Sequence, residues 1–177
     1  MATVPSQQTF SAGATLTAAQ LNDDLRDAVN FLLDPPSAKA YSSTVTNHNA
    51  TGAANFIVVG LNSESWDNDT IHDNVTNNSR LTCKTAGRYL IIGNITFAAN
   101  ATGTRAARIQ LGGATDLQTT RVMASPNIVT SIPVIVEKVL AVNDYVELLG
   151  AQNSGGNLDM NAGDNVTWLQ MRRIGPS

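Results

Sequence analysis

The chain has 177 residues, 42% of them hydrophobic, and a formal net charge of −3 with a pI near 5.2, enough for one domain of ordinary size with a real core and a small appendage. Charged residues make up only 14%, against roughly a quarter in ordinary soluble domains. Arg105 and Arg108 stand alone and Arg172-Arg173 is a single pair, so the electrostatic footprint of a nucleic-acid binder is missing.

Residues 1–16 are polar and irregular, and they lack the basic segment and apolar run of a secretory signal. No apolar stretch reaches the roughly 20 residues of a membrane span. Thr17-Ala18-Ala19-Gln20 then reads as a capping box, the hydroxyl and the amide three residues later satisfying the first backbone donors of a helix. The segment 17–33 that follows carries Leu21, Leu25, Ala28 and Leu32 at helical spacing. They form one apolar docking face opposite Asn22, Asp23, Asp27 and Asn30. Pro35-Pro36 ends the helix. A helix of this length is marginal alone in water, so its stripe is expected to dock on its own domain, on the same helix of sister subunits or on another protein. Residues 1–34 are read as an attachment and trimerisation segment, 35–41 as a linker and 42–177 as the main domain.

From residue 42 the texture is short apolar runs split by Asn, Gly, Asp and Ser. Strands are expected at 42–47, 55–61, 80–84, 88–97, 105–111, 119–123, 129–140, 145–151, 158–161 and 166–174, with turns at Asn62-Ser63, Ala86-Gly87, Gly112-Gly113, Asn143-Asp144, Gly155-Gly156 and Gly163-Asp164. Many short strands at such spacing, with no intervening long helices, predict a mainly β sandwich or barrel and disfavour an α/β sheet. Cys83, the single cysteine, sits between strand-like neighbours and is read as a small buried residue.

Few side chains suggest chemistry. Trp66, Asp67, Asp69 and Asp73 form the one candidate ligand loop. Its three carboxylates are at hand for Ca²⁺, but it has neither the glycine nor the terminal glutamate of an EF-hand. An ordinary ordered loop with Trp66 packed beneath it is the expectation, with no metal and no cofactor. His48 and His72, the only histidines, stand in no nucleophile motif, and there is no P-loop, dinucleotide fingerprint or zinc motif. No enzyme is predicted. The seven Asn-x-Ser/Thr matches, from Asn49 to Asn165, are read as accidents of an Asn- and Thr-rich composition.

With Thr85-Ala86-Gly87-Arg88-Tyr89 opening one strand, Arg105 to Gly113 and Val139 to Leu148 following in order and Val166 to Met171 closing the domain, the β segment resembles the C1q/TNF-like jelly-roll superfamily, in particular the versions found in phage virion proteins. The resemblance rests on Thr85-Ala86-Gly87-Arg88-Tyr89-Leu90-Ile91 with its strand end Asn94-Ile95-Thr96-Phe97. Arg105 to Gly113 follows, with Gly112-Gly113 where the family usually has Asn-Gly. Next comes Val139 to Leu148, where Asn143 replaces the family's Gly, and the closing strand Val166-Thr167-Trp168-Leu169-Gln170-Met171. It covers roughly residues 53–174. The segment from Phe10 to Leu33 also looks like an N-terminal module of phage tail and head appendages.

The resemblance implies an antiparallel jelly roll that assembles as a homotrimer through aromatic and aliphatic residues of one sheet face. Tyr89 and Tyr145 match motif positions for that face, and Phe97 and Trp168 are assigned to it by alternation. It further implies a non-enzymatic virion structural protein, a tail-tip or fibre component or a head decoration, made in the host cytoplasm. Other virion proteins would hold its N-terminal segment. A receptor- or glycan-binding adhesin is the second expectation, and a polysaccharide depolymerase, which needs paired carboxylates, the third.

Overall fold

The computed structural model describes residues 4–5, 9, 11–48 and 55–176; Phe10, most of the first ten residues and Asn49 lie outside the described residues. Thr17 caps the helix as its sequence dictates. Its Oγ1 accepts the Gln20 amide at 3.2 Å and its own N–H donates to Gln20 Oε1 at 2.9 Å. The helix runs as α1 (Ala18–Leu21), a π-helical stretch (Asn22–Arg26) and α2 (Asp27–Leu33). No described helix is long and apolar enough to cross a membrane.

Twelve strands follow among the described residues: β1 (Ser37–Tyr41), β2 (Thr46–His48), β3 (Ile57–Val58), β4 (Ser63–Asp67), β5 (Arg80–Thr82), β6 (Gly87–Phe97), β7 (Thr104–Leu111), β8 (Thr115–Met123), β9 (Thr130–Leu140), β10 (Tyr145–Gln152), β11 (Leu158–Met160) and β12 (Trp168–Gly175). All pair antiparallel. One sheet has the order β2-β11-β6-β12-β1-β4 with β9 on the free side of β6. The other has the order β3-β10-β7-β8 with β5 also on β10. Neighbours in space are distant in sequence, which is the wrapping of a jelly roll.

The core lies between the two sheets. The inward positions of β6 supply Tyr89, Ile91, Ile95 and Phe97, all without accessible surface. Leu148 and Ile109 face them from the smaller sheet, with Leu169 and Met171 alongside from β12. Gly93 interrupts this alternation for a steric reason. A Cβ built there would lie 2.7 Å from Leu148 Cδ1, so the facing leucine fills the space a side chain would need. Cys83 is buried, its Sγ 3.3 Å from the Thr85 carbonyl, and burial pushes its thiol pKa up.

Two expectations are corrected here. The supposed linker contains β1, which pairs with β12 on one side and β4 on the other. Ser-Ala-Lys-Ala-Tyr has weak strand propensity, but Ala38 and Ala40 are small enough to bury completely against the core. Likewise 63–67, expected to be a turn leading into a loop, is the edge strand β4.

Candidate functional site

The four aromatics assigned to a trimer face do not share one. Tyr89 and Phe97 have no accessible surface in the single chain, so neither offers contact area to a sister subunit. They occupy inward positions of β6, where Tyr89 donates its hydroxyl to the Thr85 carbonyl at 2.6 Å. Burial pushes the phenol pKa far above its usual value. Tyr145 belongs to the smaller sheet, where the Arg80 guanidinium lies 4.1 Å from its ring centroid. Trp168 alone stands on the outer face of the larger sheet, half-buried.

Pairing register builds that outer face. Ile135, Ile92, Gln170, Lys39 and Trp66 align across β9, β6, β12, β1 and β4. Beside them runs the row Pro133, Asn94, Trp168, Tyr41 and Ser63. Ile135 is 56% exposed and Trp66 47% exposed. Trp66 therefore does not pack under the 66–74 loop; it stands on the outside of β4. Lys39 is only 8% exposed because its Nζ lies between the Trp168 ring, at 5.0 Å, and the Trp66 ring, at 5.7 Å, while it reaches Asp164 Oδ1 at 2.7 Å. Cation–π contact and ion pair together fix both indoles on the sheet surface.

The other three members of the candidate loop go elsewhere. Asp67 folds the loop around itself: its carboxylate accepts the backbone N–H of Asp69, Ile71 and His72 at 2.8–3.0 Å. Asp69 is buried and accepts the Thr85 hydroxyl. Asp73 accepts the N–H of Val75 and Thr76. Asp67 and Asp73 are spent on local backbone, the ordinary role of Asp in turns, Asp69 on a side-chain hydroxyl, and among the described residues no three metal-ligating side chains converge. His72 is engaged through both ring nitrogens, with Glu64 at 2.9 Å and the Asn78 carbonyl at 3.0 Å. His48 is on β2, fully buried, with Nε2 2.8 Å from the Gly150 carbonyl.

The folded loop leaves an open cleft of about 610 Å³ between itself, β5 and the β9–β10 turn. Thr70, Asp73, Thr76 and Asn77 form its loop side; Arg80, Thr82, Lys84, Asn143 and Tyr145 form the opposite wall. Thr70, Asn77 and Asn143 are the only described non-glycine residues with positive φ, at 52°, 55° and 73°, and all three line this cleft. Loop residues 66–74 were legible as polar. That residues 70–73 among them share a cleft with Tyr145 was not, because the pairing of β5 with β10 joins segments over sixty residues apart.

The helix meets the sandwich at its C-terminal end, where the Arg173 guanidinium lies 5.0 Å from the Phe31 ring. Of the expected docking face, Leu21, Leu25 and Leu32 are 52%, 60% and 76% exposed and Ala28 is half-buried. Phe31, which the periodicity did not single out, makes the contact.

Two exposed carboxyls provide a check on these assignments. Hydrogen bonding from Lys39, then from Ser65, holds Asp164 below the usual carboxylate range; the N–H groups of Thr76 and Val75 do the same for Asp73. A depressed folded pKa means the interaction is complete above the unfolded value, 3.8, and is lost as pH falls through the folded one. Carbon-detected NMR titration is expected to place both midpoints below 3.8. Lys39→Met should return Asp164 toward the ordinary value and leave Asp73 unmoved; an Asp164 midpoint indifferent to that change contradicts the ion pair.

No protein-family model matches the chain, and no curated protein sequence is significantly similar to it. Solved structures are similar in fold. The globular domain of zebrafish complement 1qA superposes with a TM-score of 0.53 at 13% identity, covering 80% of this chain and 99% of that one. Murine APRIL gives 0.61 at 10% identity, covering 78% and 98%. Eiger TNF from S. frugiperda gives 0.59 at 12% identity, covering 80% and 95%. At such identities the likeness establishes architecture alone: the chain has the C1q/TNF-like jelly-roll fold.

Proposed function

We propose that the chain is a non-enzymatic, homotrimeric structural protein of a bacteriophage particle, a tail-tip or fibre component or a head decoration or spike. Its jelly roll would be turned outward, and its helix would dock on a neighbouring virion protein. The observation that carries the trimer is the outer face of the larger sheet, where Trp66, Trp168, Tyr41, Ile92 and Ile135 form an aromatic and aliphatic patch interspersed with Lys39, Gln170 and Asn94. An exposed apolar patch set among polar residues marks an interaction site, and closure around a three-fold axis hides it without leaving a complementary face free to polymerise. The exposed leucines of the helix support attachment through the N-terminal segment. The low charge and the carboxylates spent on backbone donors support a role without chemistry.

Sedimentation at micromolar concentration is expected to give about three times the 18.7 kDa chain mass. Ile135→Arg, at an exposed position that the single fold tolerates, should shift the protein to monomer with an unchanged circular dichroism spectrum. Each contact then buries an unpaired charge at a cost of about 2–5 kcal/mol. A wild-type monomer, or a variant that remains trimeric, counts against this face. For the virion assignment, removing residues 1–34 should abolish incorporation into particles; incorporation without them contradicts the docking role of the helix. An adhesin is the second reading, favoured by the cleft beside Tyr145.

A further inference from the structure

We infer that the cleft between residues 70–77 and the β5–β10 wall binds an acidic oligosaccharide, its carboxylates gripped by Arg80 and Lys84 and its hydroxyls by Asn143, Asn77 and Thr82. The inference deepens the adhesin reading and rests on it, but it stands apart from the trimer, since one chain supplies every residue named.

The cleft is open to solvent and encloses about 610 Å³, within the size range of small-molecule sites. Its lining is what a sugar needs, side-chain amides and hydroxyls at the rim and cations on one wall. Arg80 and Thr82 stand two residues apart on β5 and share one of its sides. Lys84 joins them in lining the cleft from the bend that follows the strand, so the two cations are offered at separate points along the wall, as successive sugar units require.

The two cations differ usefully. Arg80 is held over the Tyr145 ring at 4.1 Å and lies 3.4 Å from Glu147 Oε1, so its guanidinium is positioned and partly balanced. Lys84 lines the cleft and makes no ion pair among the described residues. Opposite them, Asp73 spends its carboxylate on the N–H groups of Val75 and Thr76. A wall with two cations, tempered by Glu147, suits scattered carboxylates better than a dense phosphate backbone, in agreement with the net charge of −3.

An extended peptide is disfavoured by backbone accounting. The outward N–H groups of β5, which a peptide strand would need, already donate within the chain, Arg80 to the Asn77 carbonyl at 3.0 Å and Thr82 to the Ile71 carbonyl at 2.7 Å. The left-handed backbones of Thr70, Asn77 and Asn143 fix the rim in one shape. A β-branched residue in that conformation is costly, and the rim is therefore preorganised rather than moulded by the ligand.

The test is NMR titration of the full chain, near physiological salt, with four probes: a uronic-acid oligosaccharide, its neutral analogue of equal length, an oligoglutamate of equal charge, and sodium sulfate. Saturable binding of the acidic oligosaccharide is expected to move the amides of residues 70–77, Lys84 and Asn143, with the other three probes at least about tenfold weaker. Lys84→Gln should weaken the acidic sugar about tenfold, the loss of one charge-assisted hydrogen bond, with thermal melting unchanged. Asn143→Gly keeps the left-handed backbone and removes only the amide, so it should weaken the acidic and neutral sugars alike. Equal binding of oligoglutamate or sulfate, no saturable binding of the acidic sugar, or indifference to both substitutions overturns the proposal. Light scattering on the same samples reports the oligomeric state, so a monomer that binds sinks the trimer and not the cleft.

Discussion

Phe97→Ala is expected to cost about 3–5 kcal/mol of folding stability, at every protein concentration. The ring has no accessible surface. Its edge-on contact with His48 puts the two ring centroids 5.8 Å apart. Across the sandwich it closes against Gly150, where an added Cβ would come within 3.3 Å of Phe97 Cζ, so glycine and phenylalanine are sized to each other. Truncation leaves a cavity that neither Gly150 nor the paired β6–β9 backbone can collapse into, which is why the larger end of the range is expected. In a chain of this size the melting midpoint should fall by about 10 °C or more. Concentration dependence is what discriminates. If Phe97 lay in a subunit interface, the variant would dissociate while the melting of the isolated chain stayed put; that result would contradict the burial described for it.

This fate of Phe97 shows where sequence reasoning stops. Alternation in Tyr89, Ile91, Ile95 and Phe97 correctly marks one face of β6, but period two says only that these residues share a face. It does not say whether that face meets the second sheet or a sister chain, and both are apolar. The long strands β6, β9, β10 and β12 were legible because aliphatic and aromatic residues recur along each of them, most clearly by alternation in β6. β1 and β4 were not, because Ser-Ala-Lys-Ala-Tyr and Ser-Glu-Ser-Trp-Asp take their strand conformation from tertiary pairing rather than propensity. The helix was legible down to its cap because a capping box is local chemistry, complete within four residues.

The cleft illustrates the same boundary. Polar loop residues and an aromatic–acidic cluster at 66–73 were visible as a candidate, yet the fold divides them. Trp66 goes to the outer sheet face, Asp67 and Asp69 stabilise the loop, and only Asp73 reaches the cleft. Lys84, Asn143 and Tyr145 join it through the β5–β10 register, Tyr145 opposite Thr82. A site assembled by register between distant segments leaves no signature in linear spacing, whereas carboxylates that satisfy a loop's own backbone resemble metal ligands in the sequence.

Arg105→Ala is the other large effect expected. In the sequence Arg105 reads as one isolated surface charge; in the fold it is fully buried at one end of the core, on the inward side of β7. Nη1 donates to the Thr102 and Thr104 carbonyls at 2.9 and 3.0 Å and Nη2 to the Asn100 carbonyl at 3.3 Å. No carboxylate pairs with it among the described residues, and its Nε has no partner there. Burial lowers its pKa, but a guanidinium stays charged in proteins, so carbonyl dipoles alone offset the desolvation. Alanine there strands three carbonyls and opens a cavity, a loss of about 3–5 kcal/mol. Arg105→Met removes the buried charge while keeping most of the volume, and should cost about 1–2 kcal/mol. Arg105→Lys should fall between them, because a compact ammonium cannot reach three carbonyls held by a planar fork. Denaturant unfolding of the three variants reads this order directly. A ranking with lysine the most stable of the three would mean that the charge itself, rather than the side-chain volume, closes this end of the sandwich.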